Sequence, residues 1–263
     1  MAEKVEEKAI VAKFGGSSLA DAGQFRKVKE IIESDPRRRY IVVSAPGKRV
    51  NKGKEESRTE IAGGDEKVTD LLYKCYENAS GGEDYKALLD QIRNRYQEII
   101  DELGLEISLE RDFDKIETAF LGGAGEEYAA SRGEYLNAKL VSAYLNYPFV
   151  DTAEVIRFDR DGNFKSGRTN FFLREKLEKL PHAVIPGFYG ADDAGNIHTF
   201  SRGGSDVTGA LVARAVLAQL YENWTDVPGF LLADPGIVPN PVKIDAMTFA
   251  ELRELAYRGA AVL

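Results

Sequence analysis

The sequence predicts an α/β domain, with a mainly parallel central sheet sandwiched by helices and two lobes. Three observations predict it. Short apolar or β-branched runs recur at residues 9–13, 40–43 and 182–187, and a further strand reads at 223–227. Stretches with helical apolar spacing separate them, and glycine-rich turns stand where strands end.

Residues 9–13 form the first strand, ending in Gly15-Gly16. Asp21 caps a helix whose apolar positions are Phe25, Val28, Ile31 and Ile32. A second strand at 40–43 stops at Ser44-Ala45-Pro46-Gly47. Residues 48–66 are charged, glycine-containing and without apolar period, which reads as a solvated surface loop. Residues 67–103 and 125–145 are mostly helical by pattern, and Val150 with its neighbours reads as a short strand. Hairpins are expected over 155–165, around Asp161-Gly162 in a type I′ turn, and over 188–200, around Ala194-Gly195-Asn196. Asp159, Asp161 and Gly162 lack the later acidic ligands of a calcium loop. A strand at 182–187, a long alanine-rich helix at 204–221, a strand at 223–227 and a helix at 248–257 complete the chain. We expect one domain over 1–263, with an N-terminal lobe to about residue 185 and a C-terminal lobe from about 186.

Composition excludes several function classes. The 263 residues carry a net charge of -8, which argues against a nucleic-acid or anionic-membrane surface. A single cysteine, Cys75, permits neither an intrachain disulfide nor a cysteine zinc cage. It shares the helical stripe of Val68, Leu71, Leu72 and Ala79, as a core residue would. The two histidines, His182 and His198, lack ligand-like spacing, so no protein-built metal site is expected. The charged N-terminus has no secretory pattern and no stretch is apolar enough to span a membrane, so the chain reads as cytoplasmic.

Three glycine turns carry the chemistry. They are Lys13-Phe14-Gly15-Gly16-Ser17-Ser18, Ser201-Arg202-Gly203-Gly204-Ser205-Asp206 and Thr225-Asp226-Val227-Pro228-Gly229. Glycines at a strand end let backbone N–H groups approach an anion, and a helix start adds unpaired donors. With Lys13 at one turn and Arg202 and Asp206 at another, transfer between two anions is the better reading than three ordinary turns. The P-loop sequence, the dinucleotide fingerprint and the protein-kinase motif set are absent, so an ATP-dependent enzyme here needs another phosphate grip.

Residues 13–18 resemble the Lys-Phe-Gly-Gly-Thr/Ser-Ser opening of the amino-acid kinase superfamily in its aspartate kinase form. Residues 200–213 resemble its Arg-Gly-Gly-Ser-Asp signature. Residues 224–235 resemble its Thr-Asp-Val-x-Gly…Asp-Pro segment, and 255–263 its Gly-Ala-Lys-Val-Leu turn. The motifs occur in family order over nearly the whole chain. The resemblance implies ATP-dependent phosphorylation of the β-carboxylate of L-aspartate, with Mg²⁺. That reaction is the first step toward lysine, threonine and methionine.

The resemblance implies that Lys13 bridges the transferring phosphoryl group, near the N–H groups of Gly15 and Gly16, with Ser17, Gly203 and Gly204 also on the phosphate side. Thr69, Arg202 and Ser205 would bind substrate, Arg202 at the α-carboxylate, and Glu134 would take the ammonium. Asp206 would orient Lys13, and Thr225 and Asp226 would face the nucleotide. On this reading Lys13→Ala lowers turnover greatly and leaves the fold intact. The partners implied are L-aspartate, Mg-ATP and a second copy in a homodimer.

The chain departs from the family pattern at Leu231, Gly236 and Ala261, where a tyrosine, an arginine and a lysine are usual. Weak ATP affinity is expected unless neighbours such as Lys243 compensate. The family continues into paired regulatory domains where this sequence stops at Leu263, so no regulatory domain and no amino-acid feedback are expected. Two other readings stand beside this one. One is a relative acting on glutamate, N-acetylglutamate, carbamate or a nucleoside monophosphate. The other is a non-catalytic aspartate-binding remnant.

Overall fold

The structure, a computed structural model, describes residues 8–49, 65–201, 203–225, 229, 231, 238 and 240–257. Its centre is a parallel sheet of β1 (Ile10–Phe14), β2 (Arg38–Val43), β3 (Ala183–Pro186) and β6 (Leu220–Trp224), in the order β3-β2-β1-β6. The central strand β1 is buried along its whole length, as its uninterrupted apolar run requires.

Alternation along the strands builds two cores. Ala12, Phe14, Ile41, Val43 and Val184 face one layer. Val11, Tyr40, Val42, Ala183 and Ile185 face the other. The first layer holds α1 (Ala22–Glu33), α2 (Val68–Gly81), α3 (Lys86–Leu103), α4 (Glu110–Leu121) and α5 (Glu126–Leu145). The second holds α6 (Thr152–Val155), α7 (Ser166–Leu177) and α8 (Gly204–Ala215). A hairpin of β4 (Tyr189–Ala191) and β5 (Ile197–Thr199) forms a separate antiparallel pair. The chain divides into two compact units, Met1–Trp224 and Thr225–Leu263. The second contains α9 (Phe249–Tyr257) and an antiparallel bridge between Leu231 and Lys243. Among the described residues no helix is long and apolar enough to cross a membrane.

Asp21 caps α1 as expected, its side chain accepting from the Gln24 N–H at 2.9 Å. Cys75 is fully buried on the core face of α2, and burial pushes its thiol up to about 12. The region around Val150 makes one bridge, Phe149 to Val184, rather than a strand. Helices α4 and α7 were not anticipated. The apolar spacing of Phe113, Ile116 and Phe120 signals the first, while α7 buries little more than Thr169, Leu173 and Leu177.

Two boundaries differ from expectation. The helix expected to reach residue 221 ends at Ala215, because Leu217 enters the left-handed region at φ 50°. The Ala218 N–H then bonds the Ala213 carbonyl at 2.9 Å, a Schellman closure built without glycine. The chain next joins the sheet, so β6 occupies 220–224 instead of 223–227. At Asp161-Gly162 only the glycine has positive φ, at 78°, which excludes the type I′ turn. Asp159 instead closes an Asx turn, accepting from the Asp161 and Asn163 N–H groups. Asp192 repeats the pattern with Ala194 and Asn196. The loop expected over 48–66 lies mostly outside the described residues.

Candidate active site

The four parallel strands end in one row. Phe14 pairs with Val43 and Trp224, and Val43 with Pro186. In parallel α/β sheets ligands bind beyond the carboxyl ends of the strands, and the predicted residues gather there. The ladder runs one step past the strands. The Gly15 N–H donates to Trp224 O at 3.0 Å, the Ser44 N–H to Phe14 O at 3.1 Å, and the Gly187 N–H to Val43 O at 2.9 Å.

Lys13 is the penultimate residue of β1, and its ammonium lies 2.8 Å from Oδ1 of Asp206 in the first turn of α8. Both side chains are largely enclosed, at 9% and 18% exposure. Removing either charge therefore strands the other in a poor solvent. Apart from that ion pair, Asp206 Oδ1 has no hydrogen-bond partner among the described residues. A buried carboxylate oxygen with spare capacity beside a lysine fits a Mg²⁺–phosphate group, since Mg²⁺ takes one or two carboxylates and fills its shell with phosphate and water.

Gly15 spends its N–H on Trp224, so its contribution to an anion is room rather than a donor. A Cβ there would stand 3.8 Å from the Lys13 ammonium. Gly16 and Gly47 cross so closely that a Cβ on Gly16 would lie 2.7 Å from the Ala45 carbonyl. The Gly47 N–H holds Gly16 O at 2.8 Å. Ser17 follows in a 3-10 turn, Gly16–Leu19.

The second glycine pair has structural causes that sequence reasoning assigned to phosphate approach. Gly203 caps α8 with φ 81°, and a Cβ on Gly204 would meet Phe188 and Phe200 at 2.8 Å. The helix start has no side-chain cap, which leaves it suited to an anion. Ser205 is buried in that turn, against Gly187.

Glu134 lies on α5, 6% exposed, and its Oε2 has no hydrogen-bond partner. Burial raises its pKa to about 7, while the Ala45 N–H, Arg132 and Lys13 pull it back. Gly133 sets this helix in place, since a Cβ there would stand 2.7 Å from the Ala45 Cβ. Arg132 is buried among the rings of Tyr128, Tyr135 and Tyr189. Asn137, one turn after Glu134 and not foreseen, donates to Ser44 O at 2.6 Å. Thr69 is half-buried at the start of α2, whose Val68 and Leu72 pack near Gly133.

The structure thus brings Lys13, Gly15, Gly16 and Asp206 together, with Glu134 near enough to feel Lys13. Arg202 and Asp226 lie outside the described residues, as do Gly236 and Ala261. Thr225 belongs to the second unit, where Lys243 lies beside Gly229 and Leu231. Among the described residues no three His, Cys, Asp or Glu side chains form a metal cluster.

The family model of the amino acid kinase family matches residues 8–263. The chain belongs to that family. Aspartokinase 3 of Bacillus subtilis is 37% identical over 96% of this chain and 56% of its own length. Lysine-sensitive aspartokinase 3 of Escherichia coli is 33% identical over 97% of this chain and 57% of its own. The crystal structure of Clostridium acetobutylicum aspartate kinase superposes with a TM-score of 0.85 at 49% identity, covering 95% of this chain and 55% of that one. E. coli aspartokinase III in complex with aspartate and ADP gives 0.78 at 28% identity, over 95% of this chain and 56% of its own. The chain therefore spans a little over half the length of the relatives it matches, and shares with them a mainly parallel sheet flanked by helices.

Proposed function

We propose that this amino acid kinase transfers the γ-phosphoryl group of ATP to the β-carboxylate of L-aspartate. The observation that carries the reading is the enclosed Lys13–Asp206 pair at the carboxyl ends of the strands, with Glu134 nearby, whose Oε2 has no hydrogen-bond partner among the described residues. It is supported by aspartokinase relatives that match over nearly all of this chain, and by a solved relative that binds aspartate and ADP.

A substrate carboxylate is ionised at neutral pH, so an attacking oxygen needs no general base. An oxygen of the β-carboxylate bonds to the γ-phosphorus as the bond to the β–γ bridging oxygen breaks. ADP leaves, β-aspartyl phosphate remains, and no proton moves. Catalysis is then positioning and charge neutralisation. Lys13 supplies mobile positive charge at the transferring group, and Asp206 holds that lysine in place. Glu134, ionised, pairs with the substrate ammonium, and its free Oε2 gives that ammonium an acceptor. Arg202 takes the α-carboxylate, with Ser205 beside it, and Thr69 closes the substrate side. Gly15, Gly16, Ser17, Gly203 and Gly204 shape the phosphate side, and Thr225 and Asp226 the nucleotide side. Asp206 would help hold Mg²⁺ beside the nucleotide, and the ion would supply further charge neutralisation. We assign the whole chain to one catalytic domain.

Incubation with Mg-ATP, hydroxylamine and a panel of L-aspartate, L-glutamate, N-acetylglutamate and uridine monophosphate tests the proposal. Hydroxylamine traps an acyl phosphate as a hydroxamate. Signal with aspartate alone is expected, and signal only with another acid, or none, overturns it.

A further inference from the structure

Arg95 interrupts the apolar stripe of α3. It is 4% exposed and follows Leu89 and Ile92 on the face that continues to Ile99. Its guanidinium meets backbone carbonyls from three chain segments, one after the 3-10 turn and two in the connection between β2 and α2. Nη1 donates to Glu66 O at 2.6 Å, and Nη2 donates to Ala20 O at 3.3 Å and to Gly47 O. The Asp65 carboxylate stands 3.8 Å from Nη2, beyond hydrogen-bond reach.

Each carbonyl belongs to a loop that builds the candidate site. Ala20 follows the 3-10 turn that continues from Gly15 and Gly16. Gly47 lies in the segment just after β2, whose Ala45 adjoins Glu134 and whose Gly47 N–H holds Gly16 O. Glu66 precedes α2 and Thr69, and the Val68 N–H bonds Pro46 O at 3.2 Å. The sheet aligns strands only to their ends. Beyond them these three segments are tied on the outer side by one side chain.

Stability alone is a weak reason for this arrangement. A buried guanidinium with no carboxylate at hydrogen-bond distance among the described residues carries a large desolvation cost, and its Nε has no acceptor among them. An apolar residue would suit the stripe better. It would leave three carbonyls without their donor, so the planar fork is what the loops require.

We propose that Arg95 is a positioning residue for phosphoryl transfer, fixing the glycine loop, the loop after β2 and the start of α2 relative to one another without touching substrate. The catalytic part of this rests on the aspartate-kinase reading, whereas the clamp itself does not. Lysine at this position carries the charge but concentrates its donors on one atom, so it cannot span carbonyls divided between Nη1 and Nη2.

The test uses the full chain with Arg95→Lys, Arg95→Met and Arg95→Ala, each assayed well below its own melting temperature. Hydroxamate formation with aspartate should lose about tenfold or more in kcat/KM, as small misplacements of reacting groups do. Backbone hydrogen exchange should accelerate at Gly47 and Val68 while β1 and β2 amides stay protected. Methylguanidinium should restore activity to Arg95→Ala and leave the parent unchanged. A cavity of about 340 Å³ lined by Arg95, Arg49, Asp90, Asn94 and Glu98 offers it a path.

Folded variants with kcat/KM within about threefold of the parent and unaltered exchange at Gly47 and Val68 overturn the proposal. So does exchange that rises equally in β1 and β2, because Arg95 would then serve stability alone. Where the alanine and methionine variants do not fold, Arg95→Lys decides by the same criteria. A parent silent toward aspartate removes the aspartate-kinase reading, and exchange at Gly47 and Val68 then decides the clamp separately.

Discussion

On the proposed function, Glu134 couples substrate capture to pH. Burial raises its pKa to about 7, so the folded protein holds a proton there that the unfolded chain has already lost. The sign follows from linkage. Between about 4.5 and 7 the native state binds more protons, so stability falls as pH rises through that window and stays reduced above it. Glu134→Gln removes the burden. Its melting temperature should exceed that of the parent at pH 8, by up to about 3 kcal/mol of stability, and match it near pH 4. Ammonium binding needs the ionised form. Aspartate affinity should therefore fall about tenfold per pH unit below 7 in the parent, and should be weak and flat in the variant. Calorimetric titration at several pH values checks both. Lys13 teaches a related lesson. Its burial against Asp206 changes the expectation that Lys13→Ala leaves the fold intact, since a stranded buried carboxylate costs about 3 kcal/mol or more. Lys13→Met combined with Asp206→Asn should be more stable than Lys13→Met alone, while both lose about 10²-fold or more in turnover. Denaturant titration beside the hydroxamate assay separates the two effects.

At the scale of elements, the site is made where α5 and α8 press against the loops at the strand ends. Gly133 is the contact that lets α5 approach Ala45, Leu72 and Val68. Gly133→Ala forces a shift of helix or loop, costing about 1–3 kcal/mol. It should raise the KM for aspartate through Glu134 and leave the nucleotide KM nearly unchanged. A uniform fall in kcat with both KM values intact would count against that division of labour. Tyr96, whose hydroxyl donates to Gly133 O at 2.8 Å, holds the same helix from behind.

At the scale of the whole molecule, both hydrophobic cores are built from residues that precede Thr225. A chain ending at Trp224 should therefore still unfold cooperatively. It should have lost phosphoryl transfer, because Thr225 and all that follows are gone. Calorimetry and the hydroxamate assay check the two halves of that statement. Gradual, non-cooperative melting would mean that the second unit is needed for the fold.

The sequence by itself determined the α/β class, strands at 9–13 and 40–43, which the structure places at 10–14 and 38–43, the capped helix after Asp21 and the buried Cys75. Each follows from local apolar period or local capping chemistry. It also named Lys13, Glu134 and Asp206 as candidate site residues, through motifs that resemble those of the family, and the structure gathers Lys13 and Asp206 at the strand ends with Glu134 near enough to feel Lys13. Tertiary structure decided what depends on distant partners. The end of α8 at Ala215 rests on a left-handed leucine, which leaves no compositional mark. The strand at 220–224 is polar, and it exists because β1 offers it a ladder. The glycines at 203 and 204 answer to backbone conformation and to two phenylalanine rings. Arg95 reads as an ordinary helix arginine until Ala20, Gly47 and Glu66 arrive around it. Its one local signal is a charge at an apolar period of α3. Hydrogen bonds across separations such as 29, 48 and 75 residues form only once the chain has folded, and no pattern along the sequence encodes them.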